Sequence, residues 1–194
     1  INFWKKKKLI NSKKFSFFNK KYDYILFIAK GGVINHRKGG DFFIKILNKF
    51  KNNSKIKFII LGEYNSSSLK KKFHNIESVN INNDDDLLKL YSIVKLNLTL
   101  SRYENLPYSI LESMSCGVIN ISFDVGGITE IIQHKENGWV SKIGDLKELE
   151  KGIKWGLQNH NQLKNKLPVI IKKYNFNSIK NHFKILKKII KEKI

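Results

Sequence analysis

The sequence predicts an α/β fold: a single domain built on a doubly wound parallel sheet, Rossmann-like in layout. Three observations carry that expectation. Short apolar runs alternate with segments of helical period from residue 24 onward. The runs are near-continuous rather than alternating, as in strands covered on both faces. Glycines and polar residues gather just after the runs, where doubly wound sheets open onto ligands. With 194 residues there is room for one such domain, and 41% hydrophobic residues with 2 Pro exclude a disordered chain.

The elements follow in order. Tyr24–Ala29 (YILFIA) reads as a buried strand, and Phe43, Ile46, Leu47 and Phe50 then share one face of a helix over 38–50. Lys57–Leu61 is the next strand, closed by Gly62. A polar Ser66–Ser68 stretch leads into a short helix over 69–74, and Ser78–Ile81 is a weaker strand. Asp84–Asp86 opens a helix carrying Leu87, Leu88, Leu90 and Tyr91. Acidic residues there complement the helix dipole, so the run reads as a cap rather than a metal site. Val94–Leu100 is a strand, and a helix runs from Pro107 to Cys116, between a proline in its first turn and Gly117 past its end. Val118–Ser122, Gly127–Gln133 and Gly138–Ser141 read as strand, helix and strand. Asp145–Leu157 and Ile179–Ile190 are amphipathic helices, the second with Ile179, Phe183, Leu186 and Ile190 opposite a Lys-rich face. Three segments result: a basic linker over 1–21, the Rossmann-like domain over 22–163, and a basic helical tail over 164–194.

The net charge of +21 is concentrated at the ends: residues 1–21 carry +8, residues 164–194 carry +9, and the middle only +4. Of 37 basic residues, only Arg37 and Arg102 are Arg. Nucleic-acid interfaces favour the bidentate Arg fork, so no nucleic-acid partner is expected. Richness in Lys, Asn and Ile matches an AT-rich coding bias; the competing reading is adhesion of the basic ends to an anionic membrane surface. The one cysteine, Cys116, excludes an internal disulfide and fits a reducing compartment. No apolar run reaches the length of a membrane span and no signal peptide is visible. The expected location is cytoplasmic, with peripheral contact at the inner face of the membrane as the variant that the basic ends suggest.

Three loops could carry chemistry. In the first, Lys30, Gly31, Gly32, Arg37 and Lys38 offer backbone amides and countercharge to a phosphate; a flexible turn with surface lysines is the competing reading. Neither the P-loop spacing nor G-x-G-x-x-G is present. In the second, Glu104 follows a buried strand, and Asn105, Leu106, Pro107, Tyr108 and Ser109 lead into a helix that carries Glu112. Two carboxylates beside a helix N-terminus suit a ligand with hydroxyls near a diphosphate, whereas Glu112 could instead pair with a lysine. In the third, Asp124–Glu130, the pair Gly126 and Gly127 makes a tight turn with amides pointing outward. His36, His74, His134, His160 and His182 show no metal-ligand spacing, and neither metal nor cofactor is expected.

Taken together, Glu104 to Glu112 (E-x7-E), ESMSCG at 112–117, DVGGITE at 124–130, ENGWV at 136–140 and the upstream RKGGD at 37–41 resemble family 4 glycosyltransferases in order and spacing. The resemblance runs from about Tyr24 to Lys173 and corresponds to the C-terminal, donor-binding half of a GT-B fold. It implies that Glu112 holds the ribose hydroxyls of a nucleotide and that Glu104 contacts the transferred sugar. It further implies that Lys38 neutralises the diphosphate, with Lys30, eight residues earlier, as its partner across a two-residue insertion. Asn105-Leu106-Pro107 stands where many members have Gly-Phe-Gly, and the proline removes one backbone donor.

The resemblance implies a retaining transferase that moves a sugar from a nucleotide-diphosphate sugar to a glycan or glycolipid acceptor, in surface polysaccharide synthesis. Base contacts would lie near Gly62 and the Asn82–Asn83 loop. A GT-B enzyme also needs an N-terminal acceptor domain, expected here in cis or in trans, and the chain is expected to be inactive without it. The alternative is a stand-alone module that binds a nucleotide sugar or a partner without turnover.

Overall fold

A computed structural model describes residues 13–29, 35–62 and 67–173. Six parallel strands form one sheet in the order β3-β2-β1-β4-β5-β6. They are β1 (Asp23–Ile28), β2 (Ile56–Leu61), β3 (Ile76–Val79), β4 (Leu96–Thr99), β5 (Ile119–Phe123) and β6 (Gly138–Ser141). The helices between and after them are α1 (Gly40–Phe50), α2 (Ser67–Lys72), α3 (Asp84–Ile93), α4 (Tyr108–Ser115), α5 (Ile128–Ile131) and α6 (Leu146–Leu163). The doubly wound α/β fold expected from the sequence is the one found. Its chain builds outward from β1 to β3, then returns to place β4 on the other side of β1. That reversal leaves a crevice between the loops after β1 and β4.

Each strand buries both faces, and the two-residue period sorts the side chains into two layers. Ile25, Phe27, Phe58, Ile60, Leu96, Leu98, Ile119 and Ile121 meet Phe43, Ile46 and Leu47 of α1 and Leu149 and Ile153 of α6. Phe27 stacks on Phe43 at 4.3 Å, and Phe58 meets Phe43 edge-on at 5.8 Å. Burying each of these rings contributes on the order of 1.5–3 kcal/mol. On the opposite face Tyr24, Leu26 and Ile59 meet Leu90, Tyr91 and Ile93 of α3. That face also holds a buried polar cluster: Asn97 of β4 donates to Asn120 of β5 (2.7 Å), which exchanges hydrogen bonds with Ser113 of α4.

Several boundaries differ from the sequence expectation, each for a visible reason. The edge strand β3 starts at Ile76, not Ser78, because Ile76 and Val79 are the buried positions that pair with β2. Helix α5 stops at Ile131 because buried Asn137 accepts from the Gln133 N–H and donates to the Ile131 carbonyl. Helix α6 runs to Leu163 rather than Leu157, and Leu163, Leu167 and Ile171 are all buried. The cap of α3 is Asn83, whose side chain accepts from the Asp86 N–H. Asp86 itself is buried, and hydrogen bonds from Lys89, Lys14 and Asn83 hold its carboxyl well below the usual carboxylate range.

Residues 13–21, the end of the segment read above as a linker, pack against the domain. Phe15 is buried, and Phe17, Phe18 and Tyr22 surround the Tyr24 ring at 5.5–6.3 Å. The helix expected over 179–190 lies outside the described residues.

Candidate functional site

The crevice opens at the carboxyl ends of β1 and β4. Its floor is Phe27, Ile28, Asn97 and Thr99, and its walls are Lys38, Ser101, Glu104 and Ser109. Helix α4 begins at this crevice with Pro107 as its N-cap residue and no side chain capping it. First-turn amides so placed favour an anion.

Lys38 and Glu104, 66 residues apart in sequence, meet across the crevice: Lys38 Nζ lies 2.5 Å from Glu104 Oε1. Arg37 Nη1 stands 3.6 Å from the same oxygen. Burial pushes the Glu104 carboxyl up, but hydrogen bonds from Lys38 and Ser101 outweigh it, and the group sits below its ordinary value. Glu104 is thus an ionised carboxylate with two cations on it.

The loops bearing these groups are tied together closely. Gly39 adopts φ +74°, and a Cβ there would fall 1.9 Å from the Leu100 carbonyl oxygen. The Arg102 N–H donates to the Arg37 carbonyl (2.9 Å). The Arg102 guanidinium donates to both Asp41 oxygens (2.8 Å each) and to the His36 carbonyl (2.6 Å), and covers the Phe42 ring at 4.2 Å. On the far side, Gly126 adopts φ +54°, and a Cβ there would fall 1.7 Å from the Glu104 carbonyl oxygen. The Gly127 N–H donates to the Asn105 carbonyl at 2.7 Å.

These contacts sort the sequence candidates. Lys38, Glu104 and Ser109 come together in the crevice. The Gly127 amide does not point outward as expected; it is bonded to Asn105, because the third loop closes directly on the second. Leu106 packs on the main apolar cluster, and Pro107 is buried. Asn105 and Tyr108 are exposed beside the crevice. Gly62 ends β2 with its N–H on the Val79 carbonyl, at the same end of the sheet but not among the crevice-lining residues. Lys30, Gly31 and Gly32 lie outside the described residues.

Glu112 sits one turn along α4. Its partner is a tyrosine rather than a lysine: the Tyr91 hydroxyl donates to Glu112 Oε2 at 3.2 Å. Burial, joined by the Glu112 charge, pushes the Tyr91 phenol up, and pushes the nearby Cys116 thiol up to about 12. That thiol is inert at neutral pH.

Sequence reasoning missed Tyr91, Asp41 and Arg102 as contributors to the site. A signal existed for Arg102, one of only two arginines among 37 basic residues and two positions before Glu104. Among the described residues no group of His, Cys, Asp or Glu is arranged to hold a metal ion, and no helix is long and apolar enough to cross a membrane.

The family model described as "Glycosyl transferases group 1" matches residues 10–187. The N-acetyl-alpha-D-glucosaminyl L-malate synthase of Bacillus anthracis is 41% identical over 61 residues, 31% of this chain and 16% of that protein. Among solved structures, the sucrose-phosphate synthase of Thermosynechococcus elongatus superposes with a TM-score of 0.72 at 16% identity, covering 89% of this chain and 46% of that one. HepE of Anabaena, solved in complex with UDP, gives 0.65 at 15% identity, covering 87% and 49%. At these identities the structures share the fold, and the chain spans half or less of the length of each of these relatives.

Proposed function

Because the chain belongs to the group 1 glycosyl transferases, we propose that it forms the donor-binding, C-terminal half of a retaining GT-B enzyme of family 4. In this reading the crevice takes a nucleotide-diphosphate sugar, and a companion domain, in the same chain or another, presents a glycan or glycolipid acceptor. The observation that carries it is the convergence of Lys38, Glu104 and the uncapped N-terminus of α4 on one crevice at the point where the strand order reverses.

Each group has a role that its chemistry suits. Lys38 and the first-turn amides of α4 stabilise negative charge gathering on the departing diphosphate, which is transition-state electrostatics rather than covalent catalysis. Glu104, ionised and held at the crevice wall, accepts from hydroxyls of the transferred sugar. Glu112, held through one oxygen by Tyr91, offers the other to the ribose hydroxyls. These do not change during reaction, so Glu112 contributes similarly to ground and transition states.

Binding of UDP, GDP and ADP, and of their sugar conjugates, tests this on the 194-residue chain. One nucleoside diphosphate should bind, and no sugar should be transferred by the chain alone. Glu112→Gln should weaken the bare nucleotide and the conjugate alike. Glu104→Gln should spare the nucleotide and weaken the conjugate. Should Glu104→Gln lose more bare-nucleotide affinity than Glu112→Gln, the two roles are wrongly assigned; if none of the three nucleotides binds, the reading fails.

A further inference from the structure

We propose that Arg102 is a positioning residue: through Asp41 and the His36 carbonyl it holds the 36–41 turn against the 101–104 segment, which brings Lys38 onto Glu104. The inference deepens the reading above, since Lys38 and Glu104 are the groups assigned to the donor.

Arg102 touches neither the crevice floor nor the Glu104 carboxylate. It leaves the 101–104 segment, donates along its fork to both oxygens of Asp41, reaches the His36 carbonyl, and lies over the Phe42 ring. A lysine could supply the charge but not the parallel pair of N–H bonds nor the flat face. Residues 36–38 form a single 3-10 turn, tied at one end by Asn35 and at the other by Gly39. No residue of that turn is buried, so packing holds only its Gly39 end, against Leu100, and burial of its own side chains does not fix it. The ties to the 101–104 segment do so instead: the Arg102 guanidinium, the Arg102 N–H on the Arg37 carbonyl, and the Arg37 Nη1 on the Tyr103 carbonyl. The Arg102 side chain supplies the only two of these that reach beyond Arg37, to His36 and to Asp41 in the first turn of α1.

The test is the titration of the Glu104 carboxyl, followed by carbon-13 NMR in the ligand-free 194-residue chain. The groups that face it are Lys38 and Arg37 from the turn and Ser101 from its own segment. In Arg102→Lys the charge stays and the fork is lost; in Asp41→Asn the shape stays and the anchor is lost. Both should move the Glu104 titration upward, toward its ordinary value. Full release of the turn removes the lowering bonds and the opposing burial together, and the net is still upward. Charge alone predicts the reverse for Asp41→Asn, because deleting a neighbouring anion favours ionised Glu104. Lys49→Gln, which breaks the Lys49–Glu150 pair elsewhere on α1, should leave Glu104 in place.

An unchanged or downward Glu104 titration in both variants overturns the inference, even if they melt earlier than wild type. An upward shift in both supports it whether or not a nucleotide binds, so failure of the donor reading would be seen separately. Where a nucleotide does bind, both variants should bind it more weakly, by up to about tenfold, the loss of one charge-assisted contact.

Discussion

Replacing Gly126 with alanine tests whether the third loop braces the crevice by backbone contact. The new Cβ would fall 1.7 Å from the Glu104 carbonyl oxygen, and real Cβ atoms stay beyond 3.0 Å, so the two segments must part by at least 1.3 Å. A parting of that size breaks the 2.7 Å bond from the Gly127 N–H to the Asn105 carbonyl, worth about 1 kcal/mol. The φ of +54° adds left-handed strain of about 1–2 kcal/mol for any residue with a Cβ. Together the cost is about 2–3 kcal/mol, which for a chain of this size lowers Tm by roughly 5–10 °C. Gly144 supplies the control. Its φ is +80°, but its Cβ would meet only the edge of Phe42 at 3.7 Å, so Gly144→Ala should show the strain alone, about 1–2 kcal/mol. Urea denaturation of both variants decides the matter, with nucleotide binding measured alongside, because the displaced carbonyl belongs to Glu104. If Gly126→Ala costs no more than Gly144→Ala, the loop contact does not brace the site.

Two further outcomes can be checked on the same material. Asn120→Ala leaves the Asn97 amide and the Ser113 hydroxyl without their buried partner and should cost about 2–4 kcal/mol in urea; a loss under about 1 kcal/mol would mean the cluster rearranges freely. His160 is held down to about 4 by burial and by the charges of Lys95 and Lys164, so the folded chain keeps it neutral while the unfolded chain protonates near pH 6.5. The unfolded state therefore binds the extra proton between about pH 6.5 and 4, and stability falls as pH drops through that window. His160→Gln should flatten the decline between pH 7 and 5, and an unchanged slope would show that His160 does not cause it.

What could be read from the sequence was whatever depends on local period and punctuation. The strands at 24–29 and 57–61 stand out because their apolar runs are continuous, and Gly117 marks the end of α4 because the turn there needs positive φ. Elements whose limits depend on distant partners were less legible. Helix α6 continues past Leu157 through a polar stretch, because one face suffices to bury Leu163. The aromatics at 15–18 show no helical or strand period, since they pack from turns around Tyr24. In the crevice, Glu104 and Lys38 could be named because the residue types suit the chemistry. The Arg102–Asp41 pair, 61 residues apart, and the closure of Gly127 on Asn105 are products of tertiary approach, which no spacing announces.

The paired amides of Asn97 and Asn120 bear on which alignment of strands the chain accepts. They stand opposite one another where β4 and β5 pair. Sliding β4 by one residue would turn Asn97 toward the apolar layer under α6 and bring Leu96 and Leu98 to the polar pocket. Sliding by two would keep the faces but set Asn97 beside Val118 or Ser122, stranding Asn120 in the interior. Apolar neighbours such as Ile119 and Ile121 would tolerate such slippage far better, since one branched side chain substitutes for another. The amides thus act as a key that fits one lock. The offset they enforce sets the height at which β4 ends, and with it where the segment carrying Arg102 and Glu104 leaves the sheet.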